Sequence, residues 1–342
     1  MGFLTFAYNQ LYIQPPLPSL SFTNQTVIVT GSNTGLGLET ARHIARLGAH
    51  KVILAVRNLS AGETARHDIE ISTGRPGACE AWPLDLADYD SVLAFADRAL
   101  DLPRLDALIE NAAVATKNFH LAKGGYEHSV TVNNISPFLL ALLLLPKLRE
   151  TATKFPERFR PPHLTILTSQ VHAWPKFPQR NDKRGVFAAL SDKKTAHMDE
   201  RYPVTKLLSV LLTRELVTQI QSQSQSQSET ATNPAVIINM LDTGFCDSQL
   251  SRENKGIEEV AFNLWKRLFA RTAEVGARTI VAAVEAGMES HGQYMVNGVV
   301  ASEALGGFAR GEEGIVAQKR VWEELGEILE KVRPGVMGGL RA

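Results

Sequence analysis

From Thr26 onward, short β-branched runs alternate with longer stretches whose apolar residues recur at helical spacing. Thr26–Thr30 (TVIVT) reads as a buried strand, and the following GLGLETARHIARLG reads as a helix. Lys51–Val56 (KVILAV) is a second strand, followed by a polar helical stretch from Ser60. Further strands are predicted around Glu80–Pro83, Asp106–Glu110, Leu164–Thr168 and Ala235–Asn239, and a seventh around Tyr294–Asn297, with helical patterns between them. Strands separated by helices of this length pair in parallel through right-handed crossovers, and the helices then cover both sheet faces. The pattern thus predicts an α/β fold, a doubly wound Rossmann-type three-layer sandwich around a central, mostly parallel seven-stranded sheet.

Three segments interrupt the rhythm. Residues 171–201 form a long insert rich in Pro and charge, with Trp174, Phe177 and Phe187. Residues 221–228 read QSQSQSQS, a tract without an apolar face and expected as a flexible surface loop. Residues 245–272 are amphipathic and end in FNLWKRLFAR. The expected organisation is an extension over 1–24 packed on the body, one catalytic domain over 25–310, and a C-terminal helix (Glu312–Val332) and tail over 311–342.

Composition narrows the function. The 342 residues are 44% hydrophobic, enough for a sizeable core, and 36 Lys+Arg balance 36 Asp+Glu. No basic excess is available for a nucleic-acid partner. Cys79 and Cys246 stand far apart in no metal-ligand spacing, which fits a reducing compartment and predicts no metal site. The N-terminus is apolar but lacks a basic start and a small-residue cleavage site, and Pro15, Pro16 and Pro18 break it. Phe6 stands where myristoylation wants Ser or Thr. The longest apolar run, Phe138–Leu145, is far short of the roughly 20 residues that span a bilayer. The expectation is a soluble, cytoplasmic chain; peripheral membrane contact by residues 1–20 is the minority alternative.

The turn TGSNTGLG (Thr30–Gly37) lies between the first strand and the first helix. Gly31, Gly35 and Gly37 allow a tight turn and a close approach of backbone to a pyrophosphate, with Ser32, Asn33 and Leu36 on the same loop. The helix N-terminus adds free N–H groups and a partial positive charge. The second strand ends in Arg57 rather than in a carboxylate. An acid there would bond a ribose 2′-hydroxyl and repel a 2′-phosphate, whereas Arg forks two charge-assisted bonds onto the phosphate. NADP(H) is therefore the favoured cofactor.

YPVTK (202–206) places Tyr202 and Lys206 on one face at the start of an apolar-periodic stretch. A phenol with a pKa near 10 is a poor base at neutral pH, and a neighbouring ammonium is expected to lower it. Pro203 suits a first helical turn and puts Tyr202 at the helix entrance. Alone, such a Tyr–Lys pair occurs in many helices.

Taken in order along the chain, these elements resemble the short-chain dehydrogenase/reductase family over about Thr26–Val300. The Gly-rich turn is followed by Asp85–Leu86 after the third strand, Glu110–Asn111–Ala112–Ala113 for the family's Asn-Asn-Ala-Gly, Val132–Asn133, Ser169, and Tyr202 with Lys206. The resemblance implies that Ser169 holds the substrate oxygen, Tyr202 exchanges a proton, Lys206 lowers the Tyr202 pKa and binds the nicotinamide ribose, and Asn133 supports a water relay. It further implies cofactor contacts from Asp85, Leu86, Asn111, Ala112, Thr243 and Ser248. Asn133 is chosen over Asn134 by the preceding Val132. Two departures stand out: Asp242–Thr243–Gly244 replaces the family's Pro-Gly turn, and the Ser169-to-Tyr202 spacing is long. VILAVRN (52–58), Asn33–Thr34 and RTAEVGART (271–279) are closest to the retinol-dehydrogenase-like branch and its fungal secondary-metabolism members, which implies a lipophilic small-molecule carbonyl or alcohol. Trp174, Phe177, Phe245 and Trp265 fit either a pocket wall or ordinary core, and His172 reads as structural. An enzyme without net redox chemistry (epimerase, isomerase or dehydratase) and a nucleotide-sensing protein are the alternatives. The family resemblance leaves homo-oligomerisation open.

Overall fold

The β-branched runs do form strands: β1 (Thr26–Thr30), β2 (Lys51–Val56), β3 (Cys79–Pro83), β4 (Ala107–Glu110), β5 (His163–Leu167), β6 (Ile237–Asp242), β7 (Tyr294–Val296) and β8 (Val299–Val300). The computed structural model describes residues 3–156, 160–227, 235–247, 250 and 267–341. The strands make one sheet in the order β3-β2-β1-β4-β5-β6-β7-β8. β1 to β7 pair in parallel. β8 runs antiparallel to β7, with Val296 opposite Val299. The sheet therefore has eight strands where the pattern predicts seven. The turn is Asn297–Gly298, both at positive φ (54° and 83°), the two-residue hairpin chemistry that Asn-Gly favours.

Both faces of the sheet are covered, which is why its strands lack polar alternation. Ile28 faces one core, while its neighbours Val27 and Val29 face the other. One core gathers α4 (Tyr89–Leu100), α5 (Ser136–Lys154), α6 (Arg201–Gln227) and α8 (Glu312–Val332). The other gathers α2 (Gly35–Arg46), α3 (Leu59–Thr73) and α7 (Ala273–Glu285). Burying each Leu, Ile or Val side chain contributes about 1.5–3 kcal/mol, so the Leu-rich α5 is a main stabilising element. His128–Lys154 is long and apolar enough to cross a membrane, but 89% of its apolar window is buried inside the fold.

Two further features differ from expectation or refine it. α6 continues to Gln227, so most of the Gln/Ser tract is helix rather than loop. Once the apolar first part of a helix is packed, propagation costs little, and Gln is a good helix former. The 171–201 insert is ordered against α8: Glu324 accepts the amides of Val186 (2.6 Å) and Phe187 (3.2 Å), and Arg320 donates to the Arg180 carbonyl at 2.7 Å. Before β1 lies helix α1 (Phe3–Tyr12).

Candidate active site

The order of strands reverses direction between β1 and β4, and the crevice outside the strand ends at such a point is where α/β sheets bind ligands. A cleft of about 1200 Å³ opens there, lined by residues following β1, β2, β3, β4, β5 and β6.

The turn from β1 to α2 has Gly31 and Gly35 at positive φ (65° and 59°). A Cβ on Gly37 would lie 2.5 Å from Asn111 Nδ2 and 2.6 Å from the Gly31 carbonyl, so only glycine lets this backbone lie so close. Thr34 precedes α2 without a side-chain cap, leaving first-turn amides free to meet an anion. Gly31, Asn33, Gly35, Leu36 and Gly37 line the cleft. Ser32 does not: it is fully buried and donates to the Val29 carbonyl (2.8 Å), holding the turn from within.

Farther along, Arg57 is exposed and lines the cleft together with Asp85, Leu86, Asn111 and Ala112. Asp85 Oδ1 accepts the Ala87 amide at 2.9 Å, which fixes the turn after β3. Asn111 Nδ2 donates to the Thr30 carbonyl (2.7 Å), and the Thr30 hydroxyl accepts the amides of Asn111 and Ala112, both at 3.0 Å. The ends of β1 and β4 are thereby stitched together. A glycine cradle that a Cβ would fill, an uncapped helix end and an exposed guanidinium fit a phosphorylated dinucleotide.

The other end of the cleft brings together Ser169, Tyr202 and Lys206. Ser169 opens a short 3-10 turn, with its hydroxyl accepting the Val171 amide at 3.4 Å. His172 Nδ1 bonds the Ser169 carbonyl (2.7 Å) and Nε2 accepts the Gly306 amide (2.9 Å), so both ring nitrogens are engaged and the histidine is structural. Tyr202 is the second residue of α6, with Pro203 in its first turn. One turn on, Lys206 Nζ lies 5.7 Å from the Tyr202 ring centroid and donates to the Leu167 carbonyl at 2.8 Å.

Burial lowers the Lys206 ammonium to about 8, against an opposing pull from the Asp242 carboxylate. Burial, followed by Asp242 and Cys246, pushes the Tyr202 phenol above its ordinary value. This is opposite to the direction expected from the Tyr–Lys pair: desolvation of the phenolate dominates and a negative neighbour adds to it. The Cys246 thiol is likewise pushed up to about 12, chiefly by burial, and is no nucleophile at neutral pH.

Asn133 does not line the cleft. Its Oδ1 accepts the Val114 amide (2.8 Å), while Nδ2 donates to the Val114 carbonyl (2.9 Å) and the Thr205 hydroxyl (3.0 Å). Thr205 in turn donates to the Tyr202 carbonyl at 2.8 Å. Asn133 thus ties the loop after β4 to the start of α6. It does so from a π-helical turn, Thr131–Ile135, that the sequence pattern does not announce. Asn134 also reaches α6, donating to the Thr205 carbonyl at 2.9 Å.

Sequence reasoning missed Arg201. It is fully buried, pairs with the equally buried Glu127 (3.1 Å) and donates to the carbonyls of Leu190 (2.6 Å) and Ala196 (3.1 Å). A basic residue next to Tyr202 was visible, but its partner lies 74 positions back. Thr243 lines the cleft, and Ser248 falls outside the described residues. Of the aromatic candidates, Trp174 and Phe245 line the cleft, Phe177 is core against Phe308, and Trp265 falls outside the described residues.

Comparison with known proteins shows the family and the fold. The family model described as short chain dehydrogenase matches residues 25–153. The chain is 43% identical over 345 residues to the short chain dehydrogenase/reductase dmxR8 of Cryptosporiopsis sp. (strain 8999), covering 98% of this chain and 99% of that one. It is 40% identical over 336 residues to the short-chain dehydrogenase anuD of Penicillium roqueforti (strain FM164), covering 98% and 85%. Among solved structures, the NADPH-bound carbonyl reductase from chicken fatty liver superposes with a TM-score of 0.56 at 19% identity, covering 82% of this chain and 99% of that one. L-sorbose reductase from Gluconobacter frateurii, complexed with NADPH and L-sorbose, gives 0.59 at 16% identity, covering 82% and 97%. The two structural likenesses show the same fold.

Proposed function

The chain belongs to the short-chain dehydrogenase family, an oxidoreductase family, and from that premise we propose that it is an NADP(H)-dependent enzyme interconverting a lipophilic ketone or aldehyde and its alcohol, a secondary-metabolite intermediate, working in the cytoplasm. The observation that carries this reading is the convergence of Ser169, Tyr202 and Lys206 on the cleft that also holds the Gly31–Gly37 turn. Gly31, Gly35 and Gly37 with the α2 amides would hold the pyrophosphate, and Arg57 the 2′-phosphate. When bound, the nicotinamide supplies the hydride that goes to the carbonyl carbon.

The chain's own groups do the rest. The Ser169 hydroxyl orients the substrate oxygen, and the Tyr202 phenol gives its proton to that oxygen as it gains charge. The phenol is protonated at neutral pH, the state needed to donate, and in the reverse direction the same group takes the proton back. The Lys206 ammonium, fixed on the Leu167 carbonyl, stabilises the phenolate left behind. Val114, Ala173, Trp174 and Phe245 make the adjoining wall apolar, which suits a lipophilic substrate.

Tyr202→Phe removes one oxygen and leaves the fold and nucleotide cradle intact. We expect turnover to fall by about 10²–10⁴-fold with NADPH binding within about twofold of wild type. Turnover near the wild-type rate in that variant would overturn the assignment.

A further inference from the structure

The loop that follows β6 carries Thr243, Gly244, Phe245 and Cys246 into the cleft wall. Its backbone is held by a side chain from the N-terminal helix. Gln10, on α1, is buried, and its amide reads the loop with both ends: Nε2 donates to the carbonyls of Phe245 (2.7 Å) and Phe269 (3.0 Å), and Oε1 accepts the Phe245 amide at 3.2 Å. One side chain thus bonds the donor and the acceptor of the same residue, as a neighbouring strand would.

The fit is close. A Cβ built on Gly244, which sits at φ 76°, would stand 2.5 Å from Gln10 Oε1. The helix is fixed in turn by Arg271, whose Nη2 donates to the carbonyls of Asn9 (2.6 Å) and Ile13 (2.8 Å) and to Asn297 Oδ1 (2.8 Å). Arg271 also pairs its backbone with the loop, donating to the Phe245 carbonyl at 2.9 Å and accepting the Asp247 amide at 2.8 Å. The loop lies between Gln10 and the 271 backbone, and α1 is tied to the same arginine.

We propose that Gln10 is a positioning residue of the active site, setting the backbone of the Thr243–Cys246 loop against which the nucleotide and substrate are held. This rests on the cleft being the NADP(H) site. The physical reason lies in the sequence. Thr243 replaces a residue type that would fix φ covalently, so this turn has more backbone freedom in isolation, and the bonds from Gln10 restrict it. α1 is therefore part of the active-site apparatus rather than a decoration upstream of it.

The test uses the full chain carrying Gln10→Met, which keeps length and apolar bulk and deletes three hydrogen bonds. Tyr12→Ser, at an exposed position of the same helix, is the control. Two readouts are taken: NADPH binding by its own fluorescence, and amide hydrogen exchange over residues 243–247. The expected result for Gln10→Met is exchange at Phe245 faster by about tenfold and NADPH bound about tenfold more weakly, with the Tyr12→Ser protein unchanged in both. A Gln10→Met protein that melts lower but keeps wild-type exchange over 243–247, or one with faster exchange and unaltered NADPH binding, would overturn the proposal. If wild type itself failed to bind NADPH, the reading of the cleft would fall, and the exchange measurement would still decide whether Gln10 holds the loop.

Discussion

Glu110 shows what one residue's surroundings do to its chemistry. It takes the place of the first Asn in the family's Asn-Asn-Ala-Gly element, at the end of β4, and is buried with the Thr30 hydroxyl at 3.3 Å from Oε2. Burial pushes its carboxyl up to about 8 from an ordinary 4.5. Between those values the folded chain keeps a proton that the unfolded chain has lost, so this group's contribution to stability falls as pH rises across the window. Glu110→Gln keeps the hydrogen bond and removes the titration. Thermal melts of the two proteins from pH 5 to 8 should diverge, with the Gln variant gaining over wild type by several degrees at pH 8. Parallel curves would place Glu110 in a wetter setting than the fold gives it. The substitution itself is legible in the sequence; its burial is not, because the groups around it come from β1, some 80 residues earlier.

At the scale of elements, the start of α6 decides where Tyr202 points. Arg201 and Glu127, both fully buried, join the head of α6 to the turn that leads into the Asn133 segment, where Glu127 also accepts the amides of Ser129 (3.0 Å) and Val130 (3.2 Å). Removing one member leaves the other charge buried and unpaired, which costs about 3–5 kcal/mol. Arg201→Met should lower stability by about that amount and reduce kcat in the protein that remains folded. Adding Glu127→Met should restore much of the stability, since apolar replacement of a buried pair is often neutral. Recovery of kcat together with stability would show that the pair holds the fold alone; kcat staying low would show that it also aims Tyr202. Elements whose signal is local were read closely: β1, β2 and α8 have the predicted limits. β8 was missed although Asn297–Gly298 between apolar runs is a hairpin signal, because two residues are too few to show a period. The Gln/Ser tract misled in the other direction, since a polar tract without an apolar face carries no helical period yet can extend a helix already packed.

For the whole molecule, alternating strands and helices dictate a parallel sheet with two covered faces, but not the order of its strands. That order sets β1 beside β4 and so creates the crevice in which residues 31, 33–37, 57, 85–86, 111–112, 169, 202 and 206 meet. Motif order along the chain pointed to most of these positions. It did not reveal that Asn133 acts at a distance from the cleft, that Ser32 lies beneath it, or that α1 reaches it through Gln10, because those facts depend on contacts between segments far apart in sequence. The proposed chemistry is hydride delivery to a carbonyl carbon within this cleft. The most direct test supplies NADPH carrying deuterium at the transferable C4 position with a ketone that the enzyme consumes, and locates the label by mass spectrometry and NMR. Deuterium on the new carbinol carbon, one per turnover and with matching loss of NADPH absorbance, is the predicted result. Conversion without label in the product and without net NADPH consumption would contradict it and point to isomerisation or dehydration on the same fold.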